Sequence, residues 1–465
     1  MLSVAIIATA CGSTVALPEV NEAQVEVEPE ESQTSSADSE IADNDTADNQ
    51  TADDAVSESV AVTEPTGDEA VADDGVPDTD DDAATEVEGA LVASDGEPYS
   101  LLCDADAPLL GSRADISESG NRIGAGSVDF ANGSESTVEL PDNGVWVTAD
   151  PTVTGGWYVV LERGSAVRVS PDGEVTTSAA PAAVPPELDA AGNPRSPFVS
   201  HELFDNPIGD SRVVVADDIA AVLSNQTDFY QHAVLGDDLE AAGIEWVDTC
   251  TGESGQISIA EPDVIEGISP MLADIDRDGQ IEIIVTLSNS EVGARLAAFE
   301  LDGTSAGESA PIGQGNRWRN QLAVGAFGPR GEVEIIDVRT PHIGGTVQAF
   351  QQVQDEETGP SLVQVAASDP RYTSHVIRTR NLSMGIAVDA DLNDFPDVLV
   401  ATANRDAIVA MTRTSDLNAE LQGWNIIGER PLDNGLTSNI ATQEQSPGRA
   451  LVAVSDGDTL RIWGR

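Results

Sequence analysis
One short apolar run recurs along this chain, and its spacing limits the possible folds more than any other feature. Residues 218–225 read DIAAVLSN and residues 282–289 read EIIVTLSN, almost in register. Related runs begin at Tyr158 (YVVLE), Glu334 (EIIDV), Asp397 (DVLVAT) and Arg449 (RALVAVSD). These six anchors lie 60, 64, 52, 63 and 52 residues apart. From about residue 140 onward, Val/Ile/Leu runs alternate with Gly, Asp, Asn and Pro, the pattern of strands and turns. No long amphipathic helix stands out. A period of this length, with about four strand-length runs per unit, predicts an all-β chain built as a β-propeller of four-stranded blades. A blade cannot bury both of its faces alone, and radial stacking gives each one neighbours. Only sixteen residues follow Arg449, enough for two strands of the last blade. The other two are expected from the N-terminal part, such as 89–94 and 99–102, which would lock the circle. Six anchors and an unassigned stretch near 98–140 give six or seven blades, seven being preferred. A pair of twisted β-sandwiches is the second fold that fits.

Charge narrows the partners. The chain carries 83 Asp and Glu against 21 basic residues, all of them Arg, for a net charge of −62. Phosphate recognition needs clustered Lys or Arg, so nucleic-acid binding is excluded. Polybasic attachment to an anionic membrane is excluded for the same reason. No apolar run reaches the ~20 residues of a membrane span. The acidity is uneven. Residues 1–98 hold 27 acidic residues and no basic one. Residues 14–90 are largely Ala, Asp, Glu, Thr, Ser and Val, too poor in large apolar side chains to offset ordering entropy. A disordered acidic linker over 12–90 and a folded domain over 91–465 follow. The net charge of −35 over residues 99–465 fits solubility of an acidic surface, or adaptation to high salt.

Two anchors are preceded by acidic loops. The first carries Asp274, Asp276, Asp278, Gln280 and Glu282; the second carries Asp389, Asp391, Asn393, Phe395 and Asp397. Both read D-x-D-x-D/N-x-x-x-D/E. Oxygens at alternate positions of a tight loop converge on one point, and Ca²⁺ is a hard ion that takes six to eight oxygen ligands. Gln280 and Phe395, at the seventh position, are expected to lend backbone carbonyls. Gly279 suits the positive φ of the turn, and Asp394 suits it less. An EF-hand needs a bidentate Glu at position twelve, where the first loop has Val285. The two loops therefore resemble the integrin-type FG-GAP repeat, also called the VCBS repeat. Residues 230–237 (YQHAVLGD) resemble a hairpin that recurs in such bacterial chains. The resemblance covers about 140–465. It implies a β-propeller whose loops bind Ca²⁺ and whose rings serve adhesion or ligand recognition.

The N-terminus reads MLSVAIIATA before Cys11, and Ala8, Thr9, Ala10 and Cys11 resemble the lipobox of a bacterial lipoprotein signal. The resemblance implies that residues 1–11 form a signal segment, that Cys11 is the lipid acceptor, and that the exported protein faces the periplasm or cell exterior, touching the membrane through the lipid alone. With Cys11 lipidated, Cys103 and Cys250 remain, and an exported pair points to a disulfide. Closing a loop of roughly 150 residues contributes up to about 5 kcal/mol in the chain-entropy model.

His201, His232, His342 and His375 are isolated, with no HExxH or GxSxG motif. Residues 316–320 (NRWRN) form the one cluster with recognition character, since Arg and Trp are favoured at binding hot spots. A loop with one packed Trp explains the same residues. The expected function is a calcium-stabilised, non-catalytic module for adhesion or for binding an unknown protein or glycan. An exported polysaccharide-active enzyme stays open, because so many carboxylates guarantee chance pairs, as does a scaffold subunit of an envelope complex.

Overall fold
The computed structural model describes residues 118–119, 121–150, 152–178, 203–416 and 423–464. The chain divides into two units, Met1–Glu86 and Val87–Arg465. The first lies wholly outside the described residues, and with it the expected signal segment, Cys11 and most of the linker. The second is all-β, with no α-helix among its described residues and a short 3-10 helix at Pro341–Ile343.

Three strands precede the repeats: β1 (Glu118–Ser119), β2 (Ile123–Ser127) and β3 (Glu135–Glu139). Four-stranded antiparallel meanders then follow one another. The first is β4 (Gly144–Ala149), β5 (Trp157–Leu161), β6 (Ala166–Val169) and β7 (Val175–Ser178). The second is β8 (Val214–Ala216), β9 (Ile219–Thr227), β10 (Glu240–Asp248) and β11 (Ser254–Ser258). After β12 (Val264–Ile265), the third is β13 (Met271–Ala273), β14 (Glu282–Ser288), β15 (Arg295–Phe299) and β16 (Ser305–Glu308). The fourth is β17 (Arg319–Gly325), β18 (Glu334–Arg339), β19 (Thr346–Asp355) and β20 (Gly359–Ala367). After β21 (Tyr372–Thr373), the fifth is β22 (Gly385–Asp389), β23 (Asp397–Thr402), β24 (Ala407–Arg413) and β25 (Trp424–Pro431). The last consists of β26 (Ala441–Ser446), β27 (Arg449–Asp456), β28 (Thr459–Trp463) and, antiparallel to β28, the N-terminal β3.

Every anchor run proves to be the second strand of a meander, or to begin within a residue of it. The physical reason is burial. A second strand has a partner on each edge and neighbouring meanders on both faces. β14 is buried at all seven positions, and β18 and β23 at five of six. Fourth strands face solvent more; β25 has only Trp424 buried. Apolar clusters lie between consecutive meanders. One joins β13–β16 residues Met271 and Ile284 to Val324, Ile335 and Phe350 of the fourth meander. Another joins Ile336 and Ala349 to Val398, Val409 and Trp424 of the fifth. The sixth packs on the first through Leu451, Leu460 and Ile462 against Trp157, Val159 and Val167. The Asn439 amide ties the same two together, accepting from Val147 N–H at 2.8 Å and donating to its carbonyl at 2.9 Å. Between the first and second, the Arg212 guanidinium lies 5.5 Å from the Trp146 ring.

The N-terminal segment departs from expectation. Strands 89–94 and 99–102, expected to complete the last blade, lie outside the described residues. One completing strand is β3, and the other is β26, directly upstream of the anchor. Residues 118–139 do not form part of a seventh meander; among the described residues there are six. Instead β1 pairs in parallel with β8, Asn121 O accepts from Val324 N–H, and β2 pairs in parallel with β22 and β27. One short segment thus touches four meanders. Its glycines permit this. Gly126 has φ 78°, and a Cβ there would lie 2.9 Å from the Arg449 backbone. Residues 230–237 do not form a hairpin either. They lie in the connection between β9 and β10 and bury Val234 and Leu235 against Ile268, Trp318 and Leu382.

Candidate metal centre
The two acidic loops occupy equivalent places, each joining the first strand of a meander to its second: β13 to β14 and β22 to β23. Their hydrogen bonding matches position by position. In the first, the Asp274 carboxylate accepts from the N–H groups of Asp278 and Gly279, both at 3.1 Å. In the second, Asp389 accepts from Asn393 at 3.1 Å and Asp394 at 2.9 Å. Positions four and six take left-handed backbone in both loops: Arg277 (φ 66°) and Gly279 (φ 90°), Leu392 (φ 67°) and Asp394 (φ 68°). Asp394 therefore adopts the turn that Gly279 was expected to suit better, as Asp and Asn do more readily than most residues.

The ninth residue closes each loop from the start of the buried second strand. Glu282 Oε2 accepts from Ile275 N–H at 2.6 Å, and Asp397 Oδ2 accepts from Ala390 N–H at 2.9 Å. Both side chains are fully buried. Glu282 Oε1 has no hydrogen-bond partner, while the Asp397 carboxyl has the Thr412 hydroxyl beside it. Burial pushes both carboxyls up to about 7, with the loop aspartates adding repulsion. A buried carboxylate oxygen without a partner costs free energy unless a proton or cation meets it.

The loop carboxylates converge. Asp274, Asp276, Asp278 and Glu282 each place an oxygen within 4.8 Å of the others, as do Asp389, Asp391 and Asp397. Asn393, at position five of the second loop, accepts from Phe395 N–H at 2.8 Å. Gln280 donates its backbone and side-chain N–H groups to Asp278 at 2.8 and 2.9 Å. The donor set is all oxygen and multiply anionic, which fits a hard divalent cation and not a soft one. In the fourth meander a basic side chain meets the buried acid at this position. Glu334 stands at the equivalent strand start, fully buried, and Arg413 of the fifth meander reaches it at 2.7 Å. No signal in the sequence links those two residues.

The remaining residues singled out from sequence are mostly structural. Trp318 is buried and donates Nε1–H to Glu266 O at 2.9 Å. Arg319 is buried beside Asp337 at 3.1 Å. Asn320 donates to Ser374 and to the Leu382 carbonyl. The recognition reading of 316–320 is thus replaced by packing for these three. His342 stacks on Trp318 with its ring at 5.7 Å, and His375 meets both rings edge-on. Burial lowers His342 to about 4 and His375 to about 3. His232 Nδ1 bonds Glu266 Oε1. Cys250, in the turn between β10 and β11, is disulfide-bonded; its partner, Cys103 and His201 lie outside the described residues.

No family model matches the chain, and no curated protein matches it. Among solved structures it is similar to an auxiliary nutrient binding protein from Bacteroides thetaiotaomicron VPI-5482, with 8% identity, 74% of this chain and 75% of that chain covered, and a TM-score of 0.33. A second auxiliary nutrient binding protein, from Bacteroides ovatus ATCC 8483, gives 11% identity, coverage of 74% and 76%, and a TM-score of 0.30. A quinohemoprotein alcohol dehydrogenase from Pseudomonas putida HK5 gives 12%, 73% and 57%, and 0.29. Likenesses this distant carry no argument about what the chain does.

Proposed function
We propose that this protein is an exported β-propeller of six blades, stabilised by calcium, that binds a protein or glycan ligand without catalysing a reaction. The observation that carries the reading is the pair of equivalent loops, each with a buried ninth-position carboxyl beside converging aspartates, Glu282 keeping one oxygen without a partner. Asp274, Asp276, Asp278 and Glu282 would hold one Ca²⁺, and Asp389, Asp391, Asn393 and Asp397 a second. Bound there, the ion neutralises carboxylates that otherwise repel, so its role is structural. The integrin-type FG-GAP likeness predicts the same ligands.

Closure of the ring is supported by contacts between successive meanders and between the last and the first. It is also supported by β3, which joins the N-terminal part to the C-terminal meander. Export is supported by the Cys250 disulfide, because structural disulfides are rare in reducing compartments. Anchoring through Cys11 rests on the lipobox likeness, and a fatty-acid label lost in Cys11→Ser would test it. For the whole reading, purified protein should be screened against glycans and envelope proteins with and without Ca²⁺. Calcium-dependent capture of a defined ligand with no turnover is expected. A protein whose stability ignores millimolar Ca²⁺ would refute the metal part, and turnover of a bound polysaccharide the non-catalytic part.

A further inference from the structure
A second polar site lies away from the acidic loops. The segment before β8, the end of β9, the start of β10 and the loop before β22 line an open cavity of about 240 Å³. Its polar wall is Asp210, Gln226, Asp237, Glu240 and Arg380, and Ile208 and Leu239 supply apolar surface. Arg380 bridges two of the acids, reaching Asp210 at 2.7 Å and also contacting Asp237. Glu240 is different. It is 1% exposed, it borders the cavity, and its Oε2 has no hydrogen-bond partner.

We propose that this cavity binds a small organic monocation with N–H donors, a primary ammonium or guanidinium compound, whose charged head pairs with Glu240. Asp210 and Asp237 against the single guanidinium of Arg380 leave the wall net negative even with Glu240 protonated, so an anion is repelled. A neutral donor can give the buried Glu240 oxygen a hydrogen bond, but only a cation with donors also supplies the counter-charge that lets the carboxyl ionise. A bare divalent ion fits less well. The metal-type clusters among the described residues are the two loops, and these acids do not converge as tightly. Ile208 and Leu239 favour a ligand with a carbon skeleton. The volume lies below the ~300 Å³ at which drug-sized pockets begin, so the ligand is compact.

Binding should move a proton. Burial pushes the Glu240 carboxyl up to about 10, and Glu266, Asp237 and Asp210 add repulsion that Arg380 only partly offsets. Free protein therefore holds Glu240 protonated at neutral pH. An ammonium seated against it makes the carboxylate the better partner, so Glu240 gives its proton to solvent as the ion pair forms. Tyr230, whose hydroxyl is buried nearby, is also raised by burial and by these acids, and stays neutral.

The test is isothermal titration of the full chain with ethanolamine, putrescine and agmatine, in two buffers of different ionisation enthalpy, with calcium present and with calcium chelated. Tetramethylammonium, glucose and NaCl serve as controls. Saturable binding of the donor-bearing cations with release of up to one proton is expected. Glu240→Gln should weaken binding at least tenfold and abolish the proton release, while leaving the calcium response unchanged. Asp237→Asn, at a half-exposed site, should weaken binding several-fold in a folded protein even where Glu240→Gln folds poorly. Equal affinity in wild type and both variants, preference for glucose or tetramethylammonium, or no binding by any of the cations overturns the proposal. The chelated arm separates this site from the calcium loops, whose failure would leave the binding intact.

Discussion

Glu282→Gln is the substitution that most directly separates a calcium loop from a solvated acidic turn. Glutamine keeps an oxygen to accept the Ile275 N–H, now at 2.6 Å, and removes one of four carboxylates sharing a 4.8 Å neighbourhood. Two opposite effects follow. In chelator at pH 8, above the value of about 7 to which Glu282 is raised, the variant loses repulsion from Asp274, Asp276 and Asp278. Each pair contributes ~1 kcal/mol at the dielectric constant of water, and salt screening reduces the sum to on the order of 1–2 kcal/mol. Roughly 300 ordered residues carry an unfolding entropy of about 0.6 kcal/mol/K, so the variant's Tm should rise by ~2–3 °C. In calcium the order reverses. A site with Kd of about 10⁻⁴ M contributes about 2.7 kcal/mol at 10 mM Ca²⁺, and a tenfold weaker one about 1.4 kcal/mol. The wild type should gain ~4 °C from this loop and the variant about half of that. The assay is calorimetry of both proteins in chelator, in 10 mM Ca²⁺ and in 10 mM Mg²⁺, with magnesium the poorer stabiliser. An equal calcium increment in wild type and variant, or a Tm lowered in chelator, would refute the reasoning.

Removing the guanidinium by Arg413→Met leaves Glu334 buried without its counter-charge, and chemical denaturation should show a loss of about 3–5 kcal/mol; a loss under 1 kcal/mol would mean that water replaces the partner. Glu240 makes stability fall as pH rises. Between about 4.5 and about 10 the folded state holds a proton that the unfolded chain has lost. The slope from this group is therefore negative, at most about 1.4 kcal/mol per pH unit. Glu240→Gln should flatten the pH 6–9 stability profile and be the more stable protein at pH 8; parallel profiles would contradict the burial argument. Asp276→Ala should remove more of the calcium response than Asp391→Ala, because the first loop has a carboxylate at position five where the second has Asn393; the two calcium-dependent Tm shifts measure this. Non-reducing peptide mapping should link Cys250 to Cys103, and a linkage to Cys11 instead would rule out the lipid anchor.

What the chain states locally, it states clearly. The six anchor runs carry apolar side chains on both faces because a second strand is enclosed on both faces, and that requirement is written in five or six consecutive residues. The acidic loops are equally local. Asp274 meets the N–H groups of Asp278 and Gly279, and Glu282 meets that of Ile275, so a nine-residue spacing contains almost the whole arrangement. Other features depend on partners far away in sequence. β3 and β28 pair across more than 300 residues, and neither strand's composition names the other; the expected seventh blade arose from that gap. Arg413 finds Glu334 from 79 residues away, and Arg380 finds Asp210 from 170. Trp318 and Arg319 look like recognition residues in sequence because an exposed and a buried Arg-Trp pair are spelled alike. Backbone hydrogen bonding and strand alternation act over a few residues and leave a readable pattern. Burial, charge pairing and the choice of edge partner depend on which meanders pack together, and those only the tertiary structure decides.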